Sequence, residues 1–250
     1  VGRGAAGGRV GPAPGGGRVT RRPSGAGLRG DALVADLERR FVTVRDAVPV
    51  GAETFDVLRP RAAEDLIDEA EFERDERLPY WADVWPSARV LAARLLAEPG
   101  AGRTLLELGC GSGVGAVAAL RAGFAVTVTD YYADALLFAR ANAWRLTGRE
   151  PDHWRVVDWR AFPDDLGYFD VVAASDVLYE RPYAELVARA FARTLARGGL
   201  GLLADPGRVF APAFVDAARA LGLQVGEPDL HPIEANGTRQ AIRLYAIRRG

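Results

Sequence analysis

Four glycines at alternate positions, framed by two carboxylates, form the segment of this chain best suited to chemistry. Glu107 stands two residues before the first glycine, and Asp130 closes the apolar stretch that follows the last one. A residue without a Cβ atom allows the backbone to turn sharply and to approach a ligand closely. We therefore expect a ligand-binding turn, most simply for a cofactor. The glycines are Gly109, Gly111, Gly113 and Gly115.

The residues around the glycines predict a strand, a turn, a helix and a second strand. Residues 104–108 form a short apolar run of the kind buried in a parallel sheet, and residues 112–122 have the composition of a helix. The start of that helix presents free N–H groups to a ligand. In this order of elements Asp130 ends the second strand, where an acid binds a ribose diol.

The glycines alone do not decide between two cofactor classes. Residues 111–116, G-S-G-V-G-A, also satisfy the G-x-G-x-x-G/A pattern of dinucleotide-binding turns. An acidic Glu107 at the entrance of the turn suits a cationic sulfonium amino acid better than an anionic pyrophosphate. An NAD(P)-dependent oxidoreductase stays open as an alternative, weakened because the chain has no Lys for a Tyr–Lys pair.

Charge is distributed unevenly along the 250 residues. All 32 basic residues are Arg, and residues 1–30 contain six of them, no acid and no apolar periodicity. Such a composition predicts a disordered tail. Residues 31–250 contain the remaining 26 Arg and all 33 acids, so their net charge is −7. This negative charge argues against a nucleic-acid substrate. We expect a neutral or cationic partner.

Few residues suit other kinds of chemistry. The single Cys110 has no partner for an intrachain disulfide, and His153 and His231 lack a neighbouring Cys or nucleophilic Ser, so we expect no metal site. No apolar run approaches the roughly 18 residues of a membrane span, and no signal-peptide core is present. These observations predict a monomeric cytoplasmic protein without membrane contact.

Two pairs of motifs resemble a known family. E-L-G-C-G-S-G followed by V-T-V-T-D resembles the first two motifs of class I S-adenosylmethionine-dependent methyltransferases. P-Y-W-A-x-x-W-P-S at residues 79–87 and D-V-L-Y at residues 176–179 resemble the group that methylates lysine side chains of folded proteins. That group includes the electron-transfer-flavoprotein β-subunit lysine methyltransferases. The resemblance covers about residues 55–248.

The resemblance implies S-adenosylmethionine as the cofactor. Residues 156–159, V-V-D-W, are expected to end a third strand, so Trp159 and the adjacent Asp158 lie at the edge where ligands bind in open α/β sheets and we expect Trp159 to contact the adenine. Trp81, in contrast, is expected to pack in a corner of the fold. The residues expected to bind the cofactor are Trp85, Glu107, Gly109, Cys110, Gly111, Asp130, Trp159 and Ser175.

Asp176 and Tyr179 are the expected catalytic residues by the same resemblance. Our hypothesis is that Asp176 accepts a hydrogen bond from the target nitrogen while Tyr179 shapes the pocket. The implied partner is a protein with an exposed lysine. Two alternatives on the same scaffold stay open: an N-methyltransferase for a small nicotinamide-like or amine metabolite, and a catalytically inactive protein that binds a partner.

The predicted fold is the Rossmann-like α/β fold of class I methyltransferases. It has a seven-stranded, mostly parallel sheet with a C-terminal antiparallel hairpin and helices on both faces. We expect three parts: a tail at residues 1–30, a strand and helix extension at residues 31–100, and the methyltransferase core at residues 101–250. An amphipathic helix is expected within the extension at residues 62–76.

Overall fold

The structure, a computed structural model, describes residues 25, 27–66, 78–235 and 237–250. The predicted disordered tail therefore lies almost entirely outside the described residues, as does the predicted helix from residue 67 onward. The helices are α1 (Gly30–Arg40), α2 (Pro86–Leu96), α3 (Val114–Arg121), α4 (Ala133–Thr147), α5 (Arg181–Thr194) and α6 (Ala211–Ala220). The strands are β1 (Thr43–Val50), β2 (Glu53–Pro60), β3 (Thr104–Leu108), β4 (Ala125–Asp130), β5 (His153–Val156), β6 (Phe169–Ser175), β7 (Leu195–Asp205), β8 (Leu223–Val225), β9 (Asp229–Ala235) and β10 (Thr238–Arg249).

The central sheet has the order β5-β4-β3-β6-β7-β10-β8, with β9 paired beside β10. Strands β3 to β7 are joined by parallel pairings, whereas β10 is antiparallel to β7, β8 and β9. The predicted mostly parallel sheet with an antiparallel C-terminal part is confirmed. The strand count differs by one, because β9 makes an eighth strand that the sequence analysis did not predict.

Helices cover both faces of this sheet. On one face, Leu91 of α2 and Val117 of α3 pack with sheet residues such as Leu105. On the other face, Val187 of α5 and Phe214 of α6 pack in a second apolar cluster. Both clusters contain small Ala and β-branched Val side chains from the strands, which allows the helices to lie close to the sheet.

The N-terminal extension packs onto the core. Strands β1 and β2 form a separate two-stranded antiparallel sheet, and Phe55 of that hairpin is fully buried in the apolar cluster of α2 and α3. Leu33 and Leu37 of α1 are buried against Phe138 of α4. Folding of the extension and the core is thus coupled through shared buried apolar area.

The boundaries of several elements differ from those predicted. The third strand of the core ends at Val156 rather than at Trp159, which instead begins a short 3₁₀ turn capped by Asp158. The helix after the glycines begins at Val114, two residues later than predicted, because Gly113 adopts a left-handed conformation with φ of 85°. Among the described residues, no helix is long and apolar enough to span a membrane.

Candidate cofactor and acceptor site

One cavity of about 260 Å³ opens at the carboxyl edge of the parallel strands. This is the edge at which open α/β sheets bind their ligands. All ten residues predicted to bind cofactor or to act in catalysis line this cavity. The structure brings them together from five separate stretches of the chain, whereas their individual roles stay predictions. They are Trp85, Glu107, Gly109, Cys110, Gly111, Asp130, Trp159, Ser175, Asp176 and Tyr179.

The glycines are required at the turn for two different reasons. Gly109, Gly111 and Gly113 have positive φ angles of 69°, 51° and 85°, in the left-handed region that residues with a Cβ rarely adopt. Gly113 also packs on α4, where a Cβ atom would lie 2.6 Å from the Cα atom of Ala139. Gly115, inside α3, leaves space for the carboxyl group of Glu107, which a Cβ atom there would overlap.

The carboxyl group of Glu107 lies beneath the first turn of α3. The amide of Ala116 donates a hydrogen bond to it, so this helical N–H group is satisfied by the protein and is not free for a ligand. Burial raises the pKa of Glu107 to about 8, and the nearby Asp130 adds to this rise. Oxygen Oε2 is buried and has no hydrogen-bond partner among the described residues.

Asp130 fastens the glycine turn to the end of β4. Its Oδ2 accepts a hydrogen bond of 2.9 Å from the amide of Gly111, and its Oδ1 accepts one of 3.0 Å from the amide of Tyr132. Burial raises the pKa of Asp130 to about 6, although these backbone hydrogen bonds oppose the rise. The amide of Tyr131 also donates to this carboxyl group, which has about four acceptor positions, so about one position is left for a ligand.

A buried asparagine connects the turn to the N-terminal extension. Asn142 of α4 donates hydrogen bonds to the carbonyls of Leu58 and Ser112, at 2.7 and 2.9 Å, and its Oδ1 accepts one of 2.8 Å from the amide of Leu58. The side chain is fully buried. The β1–β2 hairpin therefore helps to hold the glycine turn, a role for Asn142 that the sequence analysis missed.

Five aromatic rings form a continuous row along the cavity wall. Edge-to-face contacts join neighbouring rings at centroid distances of 6.2, 5.6, 4.9 and 5.5 Å. Tyr80 and Tyr183 were not predicted as site residues, and nothing in the sequence around Tyr183 marks it as one. Trp81, as expected, is buried in the corner formed with Phe138. The row runs Trp85, Tyr80, Tyr179, Tyr183 and Trp159.

Acidic residues dominate the charge of the cavity. Among the described residues that line it there are six acids and no Arg or His. Asp158, expected near adenine, accepts hydrogen bonds from the backbone and side chain of Arg160 and caps the 3₁₀ turn. A cationic ligand favours the ionised forms of such carboxyl groups, whereas an anionic ligand opposes them. The six acids are Asp83, Glu107, Asp130, Asp158, Asp176 and Glu180.

Asp176 has the most unusual backbone of the site. It is the one non-glycine residue with positive φ, 58°, within the described part of the chain. Its amide donates a 3.0 Å hydrogen bond to the carbonyl of Ala204 on the neighbouring strand. Arg208, to which the sequence analysis gave no chemical role, donates to its Oδ1 from Nε at 2.8 Å and from a second guanidinium nitrogen. The aspartate is thus fixed by both its backbone and its side chain.

Cys110 and potential metal ligands contribute little chemistry of their own. Burial raises the pKa of the Cys110 thiol well above its ordinary value, so the side chain stays a neutral thiol. Within the described ranges, no group of three His, Cys, Asp or Glu side chains is arranged to hold a metal ion.

Known proteins resemble this chain in both sequence and fold. Residues 106–200 match the family described as "Methyltransferase domain". The electron transfer flavoprotein beta subunit lysine methyltransferase of Danio rerio is 30% identical over 133 residues, which cover 52% of this chain and 51% of that protein. The protein-lysine N-methyltransferase rrg1 of Schizosaccharomyces pombe is 31% identical over 188 residues, which cover 62% of this chain and 60% of that protein. The chain thus spans about half to three fifths of the length of these relatives.

Solved structures share the fold at lower identity. The N-methyltransferase NodS from Bradyrhizobium japonicum, in complex with S-adenosyl-L-homocysteine, matches with a TM-score of 0.53 and 19% identity over 71% of this chain and 95% of that one. A TehB-like S-adenosylmethionine-dependent methyltransferase from Corynebacterium glutamicum matches with a TM-score of 0.51 and 18% identity over 73% of this chain and all of that one. The predicted fold and the resemblance stated from the motifs are confirmed. Residues 106–200 therefore resemble a methyltransferase domain, and the chain has the Rossmann-like α/β fold found in these methyltransferase structures.

Proposed function

We propose that this protein is an S-adenosylmethionine-dependent N-methyltransferase that methylates lysine side chains of a protein substrate. The observation that carries the proposal is the acidic cavity in which Glu107, Asp130 and the fixed Asp176 meet. Such a cavity suits a cationic cofactor and a cationic lysine, which favour the ionised carboxylates, better than the anionic pyrophosphate of a dinucleotide. The names of the relatives from Danio rerio and Schizosaccharomyces pombe support a protein lysine as the acceptor.

The residues present fit S-adenosylmethionine. The buried Oε2 of Glu107, without a partner among the described residues, suits a cationic amino-acid moiety, and the remaining acceptor position of Asp130 suits a ribose hydroxyl. Trp159 presents an indole for adenine, and Trp85, Cys110 and Ser175 complete the walls. When bound, the cofactor supplies a methyl group on a sulfonium.

The contribution of the chain to methyl transfer is then mainly alignment. The transfer is an in-line displacement, so its rate depends on holding the nucleophile in a near-attack position. Asp176 accepts a hydrogen bond from the acceptor amine and aims it, while the ring of Tyr179 limits its movement. The aromatic row excludes water from the amine, which favours its neutral, nucleophilic form.

Cofactor identity is tested first by thermal unfolding. A ligand at 100 times its dissociation constant stabilises a protein by about 2.7 kcal/mol. We expect S-adenosylmethionine and S-adenosylhomocysteine to raise the melting temperature and NAD and NADP to leave it unchanged. Stabilisation by NAD or NADP alone would contradict the proposal.

The acceptor is tested with radiolabelled methyl donor and purified electron transfer flavoprotein β subunit of Danio rerio. We expect label on lysine in the wild type and loss of at least nine tenths of the rate, about tenfold, in Asp176→Asn with S-adenosylhomocysteine affinity intact. Asn is a better replacement than Ala because it tolerates the left-handed conformation at this position. Full turnover by Asp176→Asn would refute the assigned role.

A second candidate is an N-methyltransferase for a small amine, which the aromatic row favours because flat rings bind small organic cations. Transfer of label to free nicotinamide or small amines, and none to proteins, would select this candidate. A monomeric state, a cytoplasmic location and the absence of a nucleic-acid partner stay predictions.

A further inference from the structure

Arg208 forms an ion pair with Asp176 at the edge of the cavity. Its Nε and a terminal guanidinium nitrogen both donate to Oδ1 of the aspartate. The Asp176 side chain is 5% exposed and that of Arg208 is 29% exposed, so water screens this pair only in part. Because the arginine donates to Oδ1 alone, Oδ2 is the Asp176 oxygen that can accept a hydrogen bond from the amine to be methylated.

The loop after β7 holds Arg208 in place. Asp205, which is fully buried, accepts hydrogen bonds of 2.7 Å from the amides of Gly207 and Arg208. Gly207 has φ of 89°, and a Cβ atom there would lie 2.7 Å from Cζ of Arg243. The guanidinium of Arg208 also lies 5.9 Å from the centre of the Trp85 ring, within cation–π range. The hydrogen bonds of the loop to Asp205 and the contact with Trp85 therefore fix the position of Arg208.

A lone carboxylate creates a difficulty for amine methylation. A lysine amine has an ordinary pKa of about 10.4 and must be neutral to attack the methyl group. A negative charge beside it stabilises the ammonium form and so raises the pKa of the amine. A carboxylate whose charge is balanced by a guanidinium can still accept a hydrogen bond from the amine, but it raises the pKa of the amine less.

We propose that Arg208 is a positioning residue that offsets the charge of Asp176, so that Asp176 aims the acceptor amine without holding it protonated. The proposal rests on the proposed function for the identity of the amine. Arg208 acts through Asp176 and needs no contact with the acceptor.

Other ionisable groups line the cavity that Asp176 faces, and substitution of Arg208 leaves them in place. The acids from the neighbouring elements are Asp83, Glu107, Asp130, Asp158 and Glu180. The remaining groups are Cys110 and the phenols of Tyr80, Tyr131, Tyr132, Tyr179 and Tyr183. Asp83 and Asp158 are already paired with Arg59 and Arg160, and Asp205 lies behind the Arg208 loop. A difference in activity or ligand binding after substitution of Arg208 alone can therefore be attributed to the loss of the Arg208 charge.

The test compares Arg208→Gln, Arg208→Lys and, as a matched surface control, Arg189→Gln, whose exposed pair with Glu185 lies on α5. Methyl transfer to the Danio rerio flavoprotein β subunit is measured from pH 6 to pH 10. In Arg208→Gln we expect kcat at pH 8 to fall about tenfold and the midpoint of the kcat profile to move up by about one pH unit. KM should fall at the same time, because the uncompensated Asp176 binds the ammonium form more tightly. Arg208→Lys should restore most of the wild-type profile.

A second measurement needs no methyl transfer. Binding of n-butylammonium to the complex with S-adenosylhomocysteine is measured by calorimetry in each variant. We expect Arg208→Gln to bind this cation more tightly than the wild type, Asp176→Asn to bind it more weakly, and Arg189→Gln to match the wild type. If the wild type methylates no protein, the proposed function fails but this measurement still decides the role of Arg208.

A merely structural role gives a different pattern. Arg208→Gln would then lower kcat equally at every pH, raise KM and leave n-butylammonium binding unchanged or weaker. Either a fixed midpoint of the pH profile or the absence of tighter ammonium binding would overturn the proposal.

Discussion

Gly115 lies directly against the carboxyl group of Glu107. A Cβ atom on Gly115 would lie 2.8 Å from Cδ of Glu107 and closer still to Oε1. The fourth glycine of the turn is thus needed for space around an acid, and Glu107 can enter the cavity wall only because α3 has no side chain at this point.

Replacement of Gly115 by Ala is expected to displace the Glu107 carboxyl group. Alanine favours a helix by up to about 1 kcal/mol, but overpacking in a buried site costs about 1–3 kcal/mol, so we expect a net loss of stability. Affinity for S-adenosylhomocysteine should fall about tenfold or more, equal to about 1.4 kcal/mol, as measured by calorimetry. The matched control is Gly226→Ala, where a Cβ atom would meet only the carbonyl of Ala246 at 3.8 Å. Equal affinity in the two variants would contradict the prediction.

Glu107 should make the free protein less stable as the pH rises. Its pKa in the folded protein is about 8, above the ordinary value of 4.5, so the folded state binds more protons than the unfolded state between these values. Stability attributable to this group is therefore full below about pH 4.5 and is lost toward pH 8, by up to about 1.4 kcal/mol per pH unit.

Urea unfolding between pH 5 and pH 8 tests this dependence. Glu107→Gln should flatten the decline in the free energy of unfolding and be more stable than the wild type at pH 8. Glu185→Gln, at an exposed acid on α5, should follow the wild type. An unchanged slope in Glu107→Gln would show that Glu107 is ionised in the folded protein throughout this range.

Binding of S-adenosylmethionine should release protons near neutral pH. The pKa of Asp130 is about 6 and that of Glu107 about 8 in the free protein, and a cationic ligand or a hydroxyl donor favours both ionised forms. Affinity should therefore increase as the pH rises from about 6 to 8. Calorimetry in two buffers of different ionisation enthalpy counts the protons released, and Glu107→Gln should release fewer. A pH-independent affinity with no proton release would contradict the prediction.

Loss of the Asn142 side chain should weaken both the fold and the turn. Asn142→Leu leaves three buried backbone groups of Leu58 and Ser112 without their partner. At about 1–3 kcal/mol for each such group, we expect a loss of at least about 3 kcal/mol in urea unfolding. Gln224→Ala, at an exposed strand position, should change stability little. A loss no larger than that of this control would argue against the link between hairpin and turn.

The sequence by itself determined the features of this protein that depend on residues close together in the chain. The glycine turn, the strand before it and the acids at both of its ends lie within 27 residues, so their spacing carries the information. The motifs at residues 79–87 and 176–179 marked Trp85, Asp176 and Tyr179 in the same way. The eight residues selected from these stretches line the cavity together with Trp159 and Ser175, because the carboxyl ends of parallel strands meet at one edge of the sheet.

Only the tertiary structure decided which side chains act on one another. Arg208 lies 32 positions from Asp176, and Asn142 lies 84 positions from Leu58, so no local pattern joins either pair. The strand β9 was missed because its stability comes from pairing with β10 and not from an alternation of its own. Contacts of this kind depend on the packing of elements that are distant in the chain, and the composition of each element does not specify them.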